Sequence, residues 1–496
     1  MPTSPIVLLL VVTVTASPLD ALTYPVVDTG QVNCYDDRRP IDYPRAGDRY
    51  FGQDAQYRSN PPSYRINGDG TVSDQVTGLM WTRNPGEKKS YDEAVAGAAT
   101  CRAGGHDDWR LPTIKELYSL IRFNGTDPDP RSDSSAGLTP FIDPSVFEFR
   151  YGDERKGERI IDSQFATSTL YVSTTLGGNK TMFGVNFADG RIKGYPAGST
   201  RGRRKGYYVL YVRGNPDYGQ NKFKDHGDGT ITDAATGLTW MKSDSGKGMD
   251  WPAALAYAEN GAWAGHDDWR LPNAKELQSI VDYTRSPDTT GSAAIDPLFD
   301  ATEIENEGGG KDYGSYWSSS SHLRGGGSDA AVYVAFGRSL GWMRDRRSSA
   351  GPRRLMDVHG AGSQRSDPKV GDASRFPTGR GPQGDVIRIK NLVRCVRGGN
   401  VVSVDKGPPV EGRSGRLRRD PHGRGHPNEP GADHRLGPGD PGPRPGPGAA
   451  RFLRRLDKNE DGRVSSCLLY TSPSPRDLLS HLVCRLLLEK GGGGGG

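Results

Sequence analysis

The apolar positions of this chain repeat one helical pattern in two places. Ile114, Leu117, Leu120 and Ile121 follow a spacing of 3, 3 and 1, and Ala274, Leu277, Ile280 and Val281 follow the same spacing. That spacing gathers four side chains on one face of a short helix. Each stripe opens on a cap. Thr113 with Glu116 is a capping-box pattern, and Asn273 with Glu276 is a close variant of it.

Upstream of each helix the pattern changes to alternation. NGDGTVSDQVTGLMW (67–81) and HGDGTITDAATGLTW (226–240) each read as a turn, a strand, a second turn and a second strand ending in a buried Trp. A helix follows, carrying Ala94 and Val95 in the first copy and Ala253, Ala254 and Leu255 in the second. Between it and the capped helix stands the same octapeptide, GHDDWRLP, at 105–112 and at 265–272. Pro112 and Pro272 hold the preceding residue extended, so the octapeptide predicts a joint that leads from loop to strand to capped helix. Trp109 and Trp269 are expected to anchor it in the core. Arg110 and Arg270 are expected to pair with the neighbouring carboxylates, Asp107 or Asp108 and Asp267 or Asp268. The competing reading makes His106 or His266 part of an acid/base or metal site with those carboxylates. Adjacent residues on a strand face opposite ways, which favours the structural reading.

The duplication runs further. FGVNFADGRIKGYP (183–196) is loosely echoed by YVAFGRSLGWM (333–343), and YVRGN (211–215) by CVRGG (395–399). The chain therefore divides into a lead segment at 24–60, one copy at 61–215 and a second at 216–400. Two copies of this length read as paired domains, not as a short-period solenoid.

Composition narrows the class. Only 33% of the 496 residues are hydrophobic, and 68 Gly and 36 Pro favour loop-rich modules. The net charge is +5, but residues 1–400 carry equal numbers of basic and acidic side chains. The excess sits in the Pro/Gly/Arg stretch that follows, whereas nucleic-acid binding needs a basic patch on a folded face, so nucleic acid is excluded as the main partner. The apolar run from Ile6 to about Ala16 is too short to span a bilayer and fits a secretory signal within residues 1–23, although no Lys or Arg precedes it. An exported chain, periplasmic, cell-surface or extracellular, without a transmembrane span is the expectation. Aromatic and polar segments such as SYWSSSSHLRGGG (315–327) and the region of Trp342 are of the kind that line sugar sites, though Trp317 and Trp342 read equally well as core.

DDWRLPT-x-x-E-L, preceded by DGT and TGL-x-W and closed by CVRGG, resembles the Lcl C-terminal domain family, named after a Legionella collagen-like adhesin. The resemblance covers both copies. It implies an α+β, C-type-lectin-like fold in tandem: a small antiparallel sheet, two short helices and long loops per copy. The implied role is binding or adhesion outside the cell, to a glycan or a protein ligand, without enzyme activity. A kinship to formylglycine-generating oxidases gives the alternative enzyme reading, which needs two active-site thiols. Cys34, Cys101 and Cys395 are candidates for disulfide duty, and because copy two has Gly261 opposite Cys101 and copy one has Tyr211 opposite Cys395, no bond can close within a single copy.

Residues 401–448 are Pro/Gly/Arg-rich without apolar periodicity and read as a disordered linker. The following segment, 449–466, ends in Asp457, Asn459, Asp461, Gly462, Arg463 and Ser465, the first nine positions of an EF-hand calcium loop, with side-chain oxygens at 1, 3, 5 and 9 and the Arg463 carbonyl at 7. Position 12, normally Glu, is Leu468, so Ca²⁺ binding is expected to be weak in this truncated loop. A calcium-dependent scaffold, EF-hand or dockerin-like, that recruits a protein partner is a further alternative. Residues 467–496 begin CLLYTSPSPRD and end in six Gly; they resemble translated sequencing adapters and are read as an artefact, outside the fold.

Overall fold

Each DGT turn is built the same way. Asp69 Oδ1 accepts from the Thr71 amide (3.0 Å) and hydroxyl (2.6 Å), and Asp228 Oδ1 does the same for Thr230 (2.9 and 2.6 Å). Gly70 and Gly229 take φ of +85° and +88°, a conformation that costs glycine least. The turns launch two matching four-stranded antiparallel sheets. Copy one contributes β1 (Tyr64–Ile66), β2 (Thr71–Asp74) and β3 (Leu79–Thr82), followed by helices α1 (Tyr91–Thr100) and α2 (Ile114–Tyr118). Strands β4 (Gln164–Phe165), β5 (Leu170–Thr175), β6 (Asn179–Asn186), β7 (Arg191–Pro196) and β8 (Val212–Gly214) complete it. Copy two repeats the order with β9 (Phe223–Asp225), β10 (Thr230–Asp233), β11 (Leu238–Met241), α3 (Trp251–Glu259) and α4 (Ala274–Ser279). It continues with β12 (Ser315–Arg324), β13 (Gly327–Ala335), β14 (Leu340–Arg344), β15 (Arg353–Asp357), β16 (Gln364–Pro368) and β17 (Val396–Gly398). The small sheets have the orders β8-β3-β2-β1 and β9-β10-β11-β17, so the VRG strand of each copy closes back on the strand that carries its first Trp.

This computed structural model describes residues 22–408, apart from 133, 200–204, 326 and 345–351. The segments read as an EF-hand (449–466) and as an artefact (467–496), nearly all of the stretch read as a linker (401–448) and all but the end of the segment read as a secretory signal (1–23) lie outside the described residues. Within them the fold is mostly antiparallel β with four α-helices.

The copies are joined through a seven-stranded central sheet, in the order β12-β13-β16-β7-β6-β4, with β5 also on β6. Ile192 of β7 faces Gln364 of β16, the register point at which the two halves meet. One continuous core runs beneath both copies, from Val72, Trp81 and Leu117 to Ile231, Trp240 and Leu277. All eight residues of the two predicted helical stripes are buried. On the preceding helices Ala94, Ala254 and Leu255 are buried, while Val95 and Ala253 face solvent.

Each copy also has a satellite core under its first helix. In copy one Ala94, Trp109, Leu111, Ala166 and Met182 pack together; in copy two Ala254, Trp269, Leu271, Trp317 and Ala331 do. Where copy one pairs a small Ala166 with a long Met182, copy two pairs a large Trp317 with a small Ala331, so the filled volume is roughly conserved. The segment 315–327, expected to be a ligand-lining loop, is instead mostly strand β12 at the edge of the seven-stranded sheet, and Trp317 is fully buried with its indole N–H donating to the Met249 carbonyl. The sugar reading of Trp317 is therefore corrected to core.

The counterpart of β7 also differs from the expected one. Val185 pairs with Ile192 and Val334 pairs with Gln364, so RIKGYP corresponds to β16 and not to the LGWM segment. LGWM belongs to β14, one arm of a hairpin with β15 that is inserted in copy two only.

The lead segment is a strap between the copies. Gln31 donates to the carbonyls of Phe123 and Ser321 (both 2.9 Å) and accepts from the Ser321 amide. Lys275 of α4 donates to the carbonyls of Asp28 and, in copy one, Ser119.

Candidate functional site

The repeated octapeptide forms the same bonded joint twice. Trp109 and Trp269 are buried, and their indole N–H groups donate to the carbonyls of Ala103 and Trp263, both at 3.1 Å. The Arg partners differ from the expected ones. Arg110 forms a bidentate pair with Glu116 (2.6 and 2.5 Å), and Arg270 with Glu276 (2.6 and 2.6 Å). Asp108 instead accepts from Arg213 of the VRG strand (2.5 Å), and Asp268 from Arg397 (2.6 Å). The reason is the cap. Glu116 and Glu276 fold back to accept from the amides of Thr113 and Asn273, while the N-cap side chains accept from the Glu amides. That brings each carboxylate under its Arg fork, which suits a planar two-oxygen acceptor. Backbone bonds between Arg110 and Val212, and between Arg270 and Val396, fix the forks from the other side. The joint thus ties octapeptide, helix cap and VRG strand together in both copies. Asp107 is exposed, and among the described residues no group of three or more His, Cys, Asp or Glu is placed to hold a metal ion.

Cys34 and Cys395 are buried thiols and Cys101 a half-buried one. Cys395 lies in the satellite core of copy two, and Cys101 packs against that of copy one, so these two thiols sit in separate cores.

What the fold does bring together is a polar cleft of about 850 Å³ at the junction of the copies. Eight Lys and Arg side chains line it against four Asp. Its buried wall is an ionic network drawn from both halves. Arg191 on β7 pairs with Asp127 (2.7 Å), which also meets His322 of β12. Lys193 pairs with Asp189 (2.6 Å), and Arg365 of β16 with Asp385 (2.7 Å), beside His359. Burial pushes the His322 imidazole down to about 4, aided by Arg191; burial and Arg365 do the same to His359. Both rings are therefore neutral at pH 7. Burial alone would raise Asp127 and Asp385, but Arg191 and His322 outweigh it at the first, Arg365 and His359 at the second. Both stay ionised, well below the usual carboxylate range.

Several buried polar atoms of lining residues have no hydrogen-bond partner: Gln164 Oε1, Asp189 Oδ1, Arg191 Nε, Tyr195 OH and His359 Nδ1. Buried polar groups are ordinarily bonded, so these atoms stand out among the residues of the cleft. None of these residues stands out in the sequence. The one local signal is Arg191 and Lys193 flanking Ile192, two charges on one face of a strand; their partners come from far along the chain.

No helix among the described residues is long and apolar enough to cross a membrane. With fold and cleft in view, the architecture defines the chain as a duplicated, mostly β module fused through one sheet. The sequence model of the Lcl C-terminal domain matches residues 70–213 and, again, 229–354. Together these matches span more than half of the chain, which belongs to the Lcl C-terminal domain family. The second match ends at 354, inside the inserted hairpin, whereas the structural repeat continues through β16 and β17. No curated protein and no solved structure matches the chain.

Proposed function

We propose that this chain is an exported, surface-associated, adhesin-like binding protein with a lectin-like role, and that the junction cleft seats an acidic glycan. The observation that carries the reading is the cleft lining, in which Lys and Arg outnumber Asp two to one. Cations recognise sulfate or carboxylate groups, and paired donors and acceptors suit sugar hydroxyls. Family membership supports a surface role. We read the protein as a binder and not an oxidase, because Cys101 and Cys395 sit in separate cores. The loop from Asp457 to Ser465 adds a calcium site on sequence grounds, as a structural or regulatory ion.

The test is binding of the full chain to dextran sulfate and to polygalacturonate, with neutral dextran as the control. The acidic polymers bind with an affinity that falls as salt rises. The double variant Arg131→Glu, Arg324→Glu weakens them about tenfold or more. Equal binding of neutral dextran, or indifference to the charge reversal, would overturn the reading.

A further inference from the structure

Of the chain's eight tryptophans, six are buried, and the two that are half-buried are Trp263 and Trp342. Trp263 is held between Tyr257 and Trp269. Trp342 has no aromatic ring or cation against its indole among the described residues, yet its backbone is clamped. Its amide donates to the Gly384 carbonyl (2.8 Å), and its carbonyl accepts from Arg353 (3.2 Å). The indole lines a groove of about 690 Å³ with Phe376, Ile387 and Ile389. The Phe376 ring is already covered by the Arg380 guanidinium at 4.2 Å, which leaves Trp342 as the open aromatic surface.

The polar side of the groove is a fixed bidentate pair. Arg388 Nε and Nη2 donate to the two Glu307 oxygens at 2.7 and 2.8 Å. Its charged lining balances, Arg388 and Lys390 against Glu307 and Asp372. This differs in kind from the strongly cationic cleft. The two recesses lie on opposite sides of one strand: successive residues of β14 alternate, with Trp342 lining the groove and Met343 the cleft, while Ile387 lines both.

We propose that this groove is a second carbohydrate subsite that takes an uncharged pyranose residue. The sugar's C–H face stacks on the Trp342 indole, and its hydroxyls bond to the Glu307–Arg388 pair. An amphipathic ring beside a locked charged pair matches a ligand with one apolar face and a rim of hydroxyls, and net neutrality favours an uncharged sugar. The groove is built by Glu307, Trp342 of the inserted hairpin strand β14 and the 371–390 segment, so copy two alone has it. The inference rests on the reading of the chain as a sugar binder, but not on the cleft as its seat.

The test is calorimetric titration of the full chain with three neutral probes: cellotetraose, maltotetraose and chitotetraose. At least one saturates, and Trp342→Ala weakens it about tenfold, whereas Trp342→Phe, which keeps an aromatic surface, costs less than about threefold. Glu307→Gln, at the half-exposed rim, gives a second loss and covers the case in which Trp342→Ala does not fold. The cleft variant Lys205→Glu weakens acidic polymers and leaves the neutral probe unchanged, which separates failure of the groove from failure of the cleft. Saturation by none of the probes, or unchanged affinity in both Trp342→Ala and Glu307→Gln, overturns the proposal.

Discussion

Ile192 and Gln364 occupy equivalent positions in the two copies and face each other across the pairing of β7 and β16. The point at which the halves join is therefore close to a local twofold relation. Because the sheet and the main core both cross this junction, neither copy can open its core without exposing the other's. The expected outcome is one cooperative unfolding transition. Hydrogen exchange at the Val185 and Val334 amides should show the same opening free energy, and Ile192→Asp should lower both together. Two resolved transitions, or exchange that separates the strands, would sink this.

The two Arg–Glu clamps are chemically alike but unequally buried. Arg270 and Glu276 side chains are 4% and 2% exposed, whereas Arg110 is 37% exposed. Removing one partner of a buried pair leaves an uncompensated charge and costs roughly 3–5 kcal/mol. Glu276→Ala should therefore destabilise the protein by about that amount, and Glu116→Ala by clearly less, because water can rehydrate Arg110. Urea unfolding of the two variants side by side checks the ranking; an inverted order would mean that the cap, not the ion pair, dominates.

The helical stripes, the caps and the buried tryptophans of the joint were legible because each is written within a dozen residues. Periodicity identifies the face, and Thr113 or Asn273 the start. The Arg partners were misread for a related reason: Asp108 is near Arg110 in sequence, but the fold of the cap delivers Glu116 instead. The cleft was beyond reach. Asp127, Arg191, His322 and Arg365 converge only because β7 and β16 pair across the copies, and no local pattern encodes a pairing between residues so far apart. The inserted hairpin hid the true counterpart of β7 by interrupting the repeat where sequence similarity is weakest.

Asp54 links the strap to copy two and is titratable. Its carboxylate accepts from the hydroxyls of Thr29 and Ser320. Burial, with the charge of Asp28, pushes it up to about 7, against the opposing pull of those hydroxyls. The unfolded chain ionises this group near pH 4, well before the folded protein does. Its contribution to stability is thus intact below about pH 4 and is lost progressively as pH rises to about 7. Asp54→Asn removes the titration while keeping an acceptor. The melting temperature of the variant minus that of the native chain should climb between about pH 4 and 7 and then level off. A difference that stays flat across that range would show that Asp54 is ionised throughout.

The calcium reading turns on one position. Read as an EF-hand loop, the sequence from Asp457 to Ser465 would offer oxygens at positions 1, 3, 5, 7 and 9, with Gly462 at position 6, where the turn is required. The twelfth position normally provides two carboxylate oxygens at once, and Leu468 provides none. Coordination that stops short of the bidentate ligand leaves the cation with too few oxygens to replace its water. The chain as written should accordingly bind Ca²⁺ weakly, and Leu468→Glu should tighten binding at least about tenfold in calorimetric titration. Asp457→Ala in the Leu468→Glu background should abolish the gain, since it removes the first ligand of the same shell. If Leu468→Glu yields no heat of binding, the segment is an acidic turn and the regulatory ion drops out of the functional reading.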